Sequence, residues 1–513
     1  MPAESPRALR RDFASPFLLG IALIIVALWP GDVSWLMDEP RLIASAWHAN
    51  HDVHLAIGGL YGNFGIRYGP LPTQIYQLLL LFTHDPFALV VLRSLLCAGA
   101  CGVGFLWLGR STGLPAWFAI GALLSPYVVA YHRVLWDASF AMPVGVLALA
   151  GFADFLQTSR AWSLRLAVLA GILAPTIHPQ ALPLSASILG WLAWQHRPAL
   201  WKDRRALALL GLLILIFNGY YLVQFAGQLC LRLSGSVQKG YPGTSSHALS
   251  TLAPLLGGHL LVGADYLEKL APSDAPATFH RIAAAAAWIF YPLAWVGVLV
   301  AAKQLWPILR TQKIASATLH LSPRQTLACV VLLGLIFQAL LFGLMRIPAA
   351  PQYFFGTFAL QVVIAWIAVD ALRAWKLGVV LGTLYTLGSL LLTVEATWSI
   401  HQHGYERPRW PTLASSVNVT RTLNRYADST ALTNVAVYEK SPQALRTLRL
   451  LLPPTGANLP NTHGHLFITH SSVAKPAETT VIVLDQTAPP PSGLPSIDTT
   501  PLPKDWVPDP ATW

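Results

Sequence analysis

The chain is poor in charged side chains, and in acidic ones above all. Of its 513 residues, 11% are charged, with 23 Asp and Glu against 34 Lys and Arg. A soluble protein carries about 25% charged residues, so the composition excludes an ordinary soluble enzyme. Hydrophobic residues make up 54% of the chain, and long apolar runs recur between residues 14 and 397. These runs predict a polytopic membrane protein.

Cysteine is scarce, and the motifs of several enzyme classes are missing. The four cysteines have spacings that fit neither a disulfide framework nor a zinc site. The sequence has no Gly-x-x-x-x-Gly-Lys loop, no Asp-x-Asp pair for a nucleotide-sugar and no Gly-x-Ser-x-Gly elbow. We therefore expect no nucleotide cofactor. The net charge of +11 does not indicate nucleic-acid binding, because most basic residues lie in short loops between apolar runs.

The apolar runs predict about eleven transmembrane helices, each needing about 20 residues. The predicted spans are 14–31, 87–109, 115–132, 139–157, 163–180, 181–195, 206–226, 282–302, 325–345, 353–371 and 377–396. With eleven spans, every cluster of Lys and Arg falls on one side of the membrane. The positive-inside rule then places the N-terminus in the cytoplasm and the C-terminus outside. The apolar segment Pro70–Thr83 is too short to span and is interpreted as a re-entrant or interfacial helix.

The predicted spans divide the chain into three parts. Residues 1–396 form a transmembrane domain with outer loops at 32–86 and 227–281. Residues 397–488 predict a small extracytoplasmic α/β domain, and residues 489–513 a proline-rich tail. Low cysteine use and short loops favour a bacterial inner membrane, with the α/β domain in the periplasm. Within that domain the pattern predicts helices at Thr412–Tyr426 and Ser441–Leu452 and strands at Ala431–Tyr438, His465–Thr469 and Thr480–Leu484.

Two adjacent carboxylates, Asp38 and Glu39, directly follow the first predicted span. Acidic residues at a membrane boundary are costly and are often functional. One alternative is a polar helix start, in which Asp38 offsets the helix dipole. Three histidines follow at intervals of three residues, a spacing compatible with metal binding or with a solvated interfacial face; they are His48, His51 and His54.

A second outer acid, Asp137, lies between the third and fourth predicted spans. If Asp137 meets Asp38, the pair could supply a general base and a ligand for a divalent cation such as Mg²⁺ or Mn²⁺. The alternative is a local Arg133–Asp137 ion pair, one helical turn apart.

Several outer cations could bind a phosphate group. Arg133 and Arg346 are the better candidates because a guanidinium pairs with phosphate oxygens through two hydrogen bonds. His178 and Lys239 are further candidates. Taken singly, each of these residues could instead be a snorkelling interfacial side chain.

Several motifs of the chain resemble those of a known family. Asp38-Glu39 beyond the first span resembles the first-loop acidic motif of the GT-C glycosyltransferases, most closely the dolichyl-phosphate-mannose protein mannosyltransferases and the lipid A aminoarabinose transferases. The segments Tyr68-Gly69-Pro70-Leu71-Pro72, Leu92-Arg93-Ser94 and Ser125-Pro126…Arg133…Asp137 match further family motifs in order, and Pro351-Gln352-Tyr353-Phe354 matches more loosely. The resemblance covers residues 1–200 well and the remainder by architecture only.

The resemblance implies a polytopic GT-C-like fold and a glycosyltransferase that uses a polyprenyl-phosphate-linked sugar on the outer face. It gives Asp38 the role of base and Asp137 a supporting role at the donor phosphate or a cation. Arg133, Arg346 and His178 would bind the phosphate, with Glu39, Tyr68 and Tyr353 in support. Its partners would be the donor lipid, membrane lipids and an acceptor that the motifs do not identify. The rival hypotheses are a flippase for lipid-linked saccharides and a non-catalytic scaffold, in which Asp38 and Asp137 would lie far apart.

Overall fold

The computed structural model describes residues 13–35, 38–60, 67–233, 275–311, 321–345, 351–405, 412–414, 417, 434–438, 463–470 and 479–485. The α-helices are α1 Ala14–Ala27, α2 Asp38–His51, α3 Leu71–Leu80, α4 Pro86–Thr112, α5 Ala116–Gly121, α6 Pro126–Arg133, α7 Ala141–Thr158, α8 Ala161–Ile177, α9 Leu182–Gln195, α10 Arg197–Lys202, α11 Arg204–Leu233, α12 Ala277–Ala287, α13 Phe290–Thr311, α14 Pro323–Met345, α15 Phe358–Ala371 and α16 Leu377–His403.

Among the described residues, seven helical stretches are long and apolar enough to cross a membrane. They are Pro86–Thr112, Ala138–Thr158, Arg204–Gly227, Ala277–Trp306, Pro323–Phe342, Tyr353–Trp375 and Leu377–His403. The other four predicted spans also fall on helices, but these helices are short or interrupted. The membrane character of the protein is thus confirmed, while the count of eleven spans stays a prediction.

The predicted span at 115–132 is interrupted rather than continuous. Helix α5 passes into a 3₁₀ turn at Ala122–Leu124 and ends there, and α6 begins at Pro126. Proline lacks the N–H that a helix interior requires, but it is accommodated in the first turn. The Ser125 side chain accepts a hydrogen bond from the Val128 N–H at 3.3 Å and so caps the new helix. This break places the end of α6 close to Asp137.

The core of the bundle is built around α15, which is buried along its whole length from Phe358 to Val369. A helix that is apolar on every side belongs at the centre of a bundle. Its Trp366 ring meets Phe105 of α4 edge-on, with ring centroids 6.3 Å apart. Helix α7 packs against both α4 and α8. These central helices fix the positions at which their connecting loops emerge.

Charged side chains mark one end of the bundle, which we call the basic end. The Arg324 guanidinium donates to the Thr112 carbonyl at the end of α4 and lies 3.2 Å from Asp370. Arg165 contacts both carboxylate oxygens of Asp203, at 2.7 and 2.6 Å. Helix α4 runs from this end to the opposite end, where Asp137 lies.

The C-terminal region contains a three-stranded sheet in the order β1-β2-β3. Strand β1, Asn434–Tyr438, pairs parallel with β2, His463–His470, which pairs antiparallel with β3, Thr479–Asp485. These strands coincide with the three predicted ones to within a few residues. The predicted helix Ser441–Leu452 and most of Thr412–Tyr426 lie outside the described residues, so the α/β domain as a whole stays a prediction.

The close packing of α13 on α15 predicts that a side chain at Gly297 would destabilise the protein. A Cβ atom at this position would overlap the carbonyl oxygen of Ile364, whereas at Gly211 it would meet nothing within 4 Å. We expect Gly297→Ala to lower the free energy of unfolding by about 1–3 kcal/mol through overpacking. Gly211→Ala, the matched control, should be neutral or stabilising because alanine favours helix. Thermal unfolding of the purified protein in detergent compares the two, and equal melting temperatures would contradict the close approach.

Candidate functional site

Asp38 opens α2 and lies beside the loop that follows α6. Its carboxylate is partly exposed, at 39%, and Arg41 lies 3.9 Å away, one turn along the helix. Trp136, about a hundred residues on, hydrogen-bonds to the same carboxylate. Burial raises the pKa of Asp38, while Arg41 and the Trp136 hydrogen bond oppose the increase. Asp38 therefore does more than offset a helix dipole: it connects α2 to the loop that carries Asp137.

Asp137 lies in that loop and is almost completely buried, with 1% of its surface exposed. Its Oδ1 accepts a hydrogen bond from the Ala138 N–H at 2.6 Å, while Oδ2 has no partner among the described residues. Burial, and then the charge of Asp38, raise the pKa of Asp137 to about 7. Glu39 raises this pKa further. The two acids predicted from distant parts of the sequence thus interact electrostatically.

Two tyrosines and a histidine lie beside these acids. The His178 ring is 5.7 Å from the Tyr68 ring and is stacked on the Tyr353 ring at 6.2 Å, measured between centroids. Burial raises the pKa of Tyr68, and the charges of Asp137 and Asp38 raise it further. Six of the side chains that interact in this region were predicted as site residues. We call them the site cluster: Asp38, Glu39, Tyr68, Asp137, His178 and Tyr353.

His178 differs from its predicted role as a cation. The residue follows the last turn of α8 and is 2% exposed, and burial lowers its pKa to about 3. The imidazole is therefore neutral at physiological pH. Its Nδ1 has no hydrogen-bond partner among the described residues. His178 can meet a ligand as a hydrogen-bond donor or acceptor, but not as a fixed positive charge.

The segment that carries Tyr68 is held by the end of α8. The Gly69 N–H donates to the Thr176 carbonyl at 2.7 Å, and the Tyr221 hydroxyl of α11 donates to the Pro175 carbonyl at 2.8 Å. These bonds satisfy carbonyls that the helix end leaves without a partner. A Cβ at Gly69 would lie 2.7 Å from the Thr176 oxygen, so glycine allows this approach. Sequence reasoning missed Tyr221, which stands in an apolar run.

Arg133 anchors the linker that leads to Asp38. Its Nη2 donates to the carbonyls of Leu28 and Trp29, both at 2.7 Å, where α1 ends. His401 Nδ1 lies 3.0 Å from the Asp32 carboxylate in the same linker. Arg133 is 3% exposed, and among the described residues it forms no ion pair with Asp137. These contacts give Arg133 a structural role and do not support its predicted contact with a phosphate.

The remaining predicted residues either lie outside the described residues or make other contacts. Arg346 and Lys239 lie outside the described residues. His51 stacks on Trp47, with ring centroids 5.4 Å apart, and its Nδ1 lies 3.2 Å from Asp52. The described part of the chain contains no group of three or more potential metal ligands. The histidine spacing after Asp38 is therefore not matched by a metal centre there, while the two-carboxylate site at Asp38 and Asp137 stays a prediction.

Comparison with known proteins gives likeness in fold only. No protein-family model matches the chain, and no curated protein matches it in sequence. Two solved structures of ArnT from Cupriavidus metallidurans do match. The apo structure has a TM-score of 0.51 and 12% identity, covering 90% of this chain and 86% of ArnT. The structure of ArnT bound to undecaprenyl phosphate has a TM-score of 0.49 and 13% identity, covering 92% and 98%. The chain thus has an ArnT-like fold.

Proposed function

We propose that this protein is an integral membrane glycosyltransferase that takes a sugar from a polyprenyl-phosphate donor. The observation that carries the proposal is the interaction of Asp38 with Asp137. These acids come from separate loops and lie beside Tyr68 and His178 in an ArnT-like fold. ArnT itself has been solved with undecaprenyl phosphate. A scaffold without catalysis would not require two acids to be brought together at an energetic cost.

Asp38 is proposed as the general base. Its carboxylate is partly exposed, so an acceptor can reach it, and its raised pKa makes it a better proton acceptor. The acceptor O–H or N–H gives its proton to Asp38 while its oxygen or nitrogen bonds to the anomeric carbon. At the same time the bond between that carbon and the donor phosphate breaks. Polyprenyl phosphate leaves, carrying the electron pair of that bond.

Asp137 is proposed to support this step, together with a divalent cation. Two neighbouring carboxylates, of which Asp38 raises the pKa of Asp137, fit such an ion, and Oδ2 of Asp137 has no other partner in the described part of the protein. When bound by Asp38 and Asp137, Mg²⁺ or Mn²⁺ would supply positive charge to the leaving phosphate. The Tyr68 hydroxyl and the neutral His178 ring would donate hydrogen bonds to the phosphate, and Arg346 would add charge.

The site is proposed to face the outside of a bacterial inner membrane. The site cluster lies at the end of the bundle opposite the basic end, which carries Arg165 and Arg324. Basic loops stay in the cytoplasm, so the acids would face the periplasm. A donor lipid presents its phosphate at the headgroup level, where these residues would lie. The acceptor can be a lipid, a protein or a glycan on that side.

The proposal predicts that Asp38→Asn abolishes transfer. Removing a general base lowers the rate about 10²- to 10⁴-fold. The matched control is Asp52→Asn, which removes the same charge from an exposed residue of the same loop. Release of polyprenyl phosphate from a panel of polyprenyl-phosphate sugars is measured in proteoliposomes with a membrane-extract acceptor. Full release by Asp38→Asn would contradict its role. A flippase would move the donor across the bilayer without releasing polyprenyl phosphate.

The rate should also fall as the pH drops through about 7. Burial and the Asp38 charge place the pKa of Asp137 at about 7, so its carboxylate is ionised above this pH and protonated below it. Because the proposed roles require ionised carboxylates and protons compete with the cation for Asp137, activity at limiting cation is present above pH 7 and lost below it. The residual transfer rate of Asp137→Asn should not fall as the pH drops below 7, whereas the rate of Asp52→Asn should fall as in the wild type. An unchanged pH dependence in Asp137→Asn would show that another group titrates.

Removal of divalent cations should lower transfer. Without a cation, Asp38 and Asp137 repel each other and the leaving phosphate meets no metal charge. We expect dialysis against a chelator to reduce the rate and added Mg²⁺ or Mn²⁺ to restore it. Thermal unfolding gives a second measurement: the cation should raise the melting temperature of the wild type but not that of Asp137→Asn. Full activity after chelation would exclude the cation.

A further inference from the structure

Arg93 is a buried positive charge without a carboxylate partner. The residue lies in the third turn of α4, and none of its surface is exposed. No described Asp or Glu forms an ion pair with it. A charge inside an apolar bundle is costly, so such residues persist where they perform a function. The proposed reaction does not use Arg93 directly, since it reaches no surface that a substrate could touch.

The two terminal nitrogens of the guanidinium both donate to the segment 131–140, which contains Asp137. Nη1 and Nη2 each make two hydrogen bonds to this segment, and the guanidinium lies over an aromatic ring 5.1 Å from its centroid. The partners are the carbonyls of Tyr131 (2.9 Å), His132 and Trp136 (3.4 Å), the Ser139 hydroxyl, and the Phe140 ring.

These contacts lie on both sides of Asp137. Before it, Arg93 satisfies carbonyls in the last turn of α6, which has no further helical N–H groups to pair with them. After it, Arg93 binds Ser139 in the 3₁₀ turn that leads into α7. Trp136, which hydrogen-bonds Asp38, is held by the same guanidinium. One side chain therefore fixes both ends of the loop and its contact with Asp38.

We propose that Arg93 is a positioning residue of the active site: its guanidinium holds the 131–140 segment so that Asp137 stays beside Asp38. This inference rests on the proposed transferase function for its consequence on rate, but not for its consequence on structure. Lysine cannot replace arginine here, since it has three donors on one nitrogen instead of a planar fork that reaches several carbonyls.

The kinetic test compares Arg93→Lys with Arg324→Lys in full-length protein in proteoliposomes. Arg324 is a matched control because it also donates to a carbonyl of α4, but at the basic end. A misplaced catalytic group can lower the rate about 100-fold, so we expect Arg93→Lys to lower kcat about 10- to 100-fold with an unchanged KM for the donor. Arg324→Lys should leave both constants unchanged. A loss confined to KM would overturn the inference.

A double-mutant cycle separates positioning from general damage to the fold. If Arg93 acts through Asp137, adding Arg93→Lys to Asp137→Asn causes no further loss of kcat. The same fold-loss in both backgrounds would mean that Arg93 acts elsewhere, and would overturn the inference.

Hydrogen–deuterium exchange tests the anchoring without any activity. Peptides covering residues 131–140 should exchange faster in Arg93→Lys than in the wild type, with no change in peptides from α15, and Arg324→Lys should leave 131–140 unchanged. Unchanged exchange in Arg93→Lys would refute the anchoring. If the wild type released no polyprenyl phosphate, the proposed function would fail, while the exchange result would still decide whether Arg93 holds this loop.

Discussion

The structure depends on satisfying backbone carbonyls where helices end inside an apolar bundle. A buried carbonyl left by a helix end needs a donor from another part of the chain. Arg133 provides it for α1, Arg93 for α6, and Gly69 with Tyr221 for α8. Each donor comes from a different segment of the sequence. The same bonds bring the linkers carrying Asp38, Asp137 and Tyr68 together, so the site is a consequence of capping these three helix ends.

The electrostatic state of the site follows from this arrangement. The nearest basic residue that acts on Asp38 is Arg41, at 3.9 Å. The guanidinium groups of Arg93 and Arg133 donate to carbonyls and form no ion pair with Asp38 or Asp137 among the described residues. Burial then raises the pKa of Asp38 and of Asp137, and the charges of Asp38 and Glu39 add to the increase at Asp137. Carboxylates whose pKa values are raised by burial and by a neighbouring charge are found more often at functional sites than elsewhere.

Much of the fold could be predicted from the sequence, because long apolar runs separated by basic loops indicate where membrane spans begin and end. Asp38 and Asp137 could be paired in advance, since both follow apolar runs on the same side. The break between α5 and α6 at Pro126 could not be predicted, because the apolar run continues through it. Nor could the neutral His178 or the capping role of Arg133, because both depend on burial by residues far along the chain. The sequence pattern predicts the end of the bundle at which a residue lies, but not its partner.

The fold alone does not specify the chemistry, since one fold hosts many functions. The side chains of the site cluster reduce the number of functions that this fold could have here. Arg133 caps α1 and His178 is neutral, so Arg41, 3.9 Å from Asp38, is the guanidinium that the described part of the site places beside this acid. The site also offers a hydroxyl, an imidazole and two carboxylates. Under the proposed function, the neutral donors and the Arg41 charge would offset the repulsion between these acids and a donor phosphate.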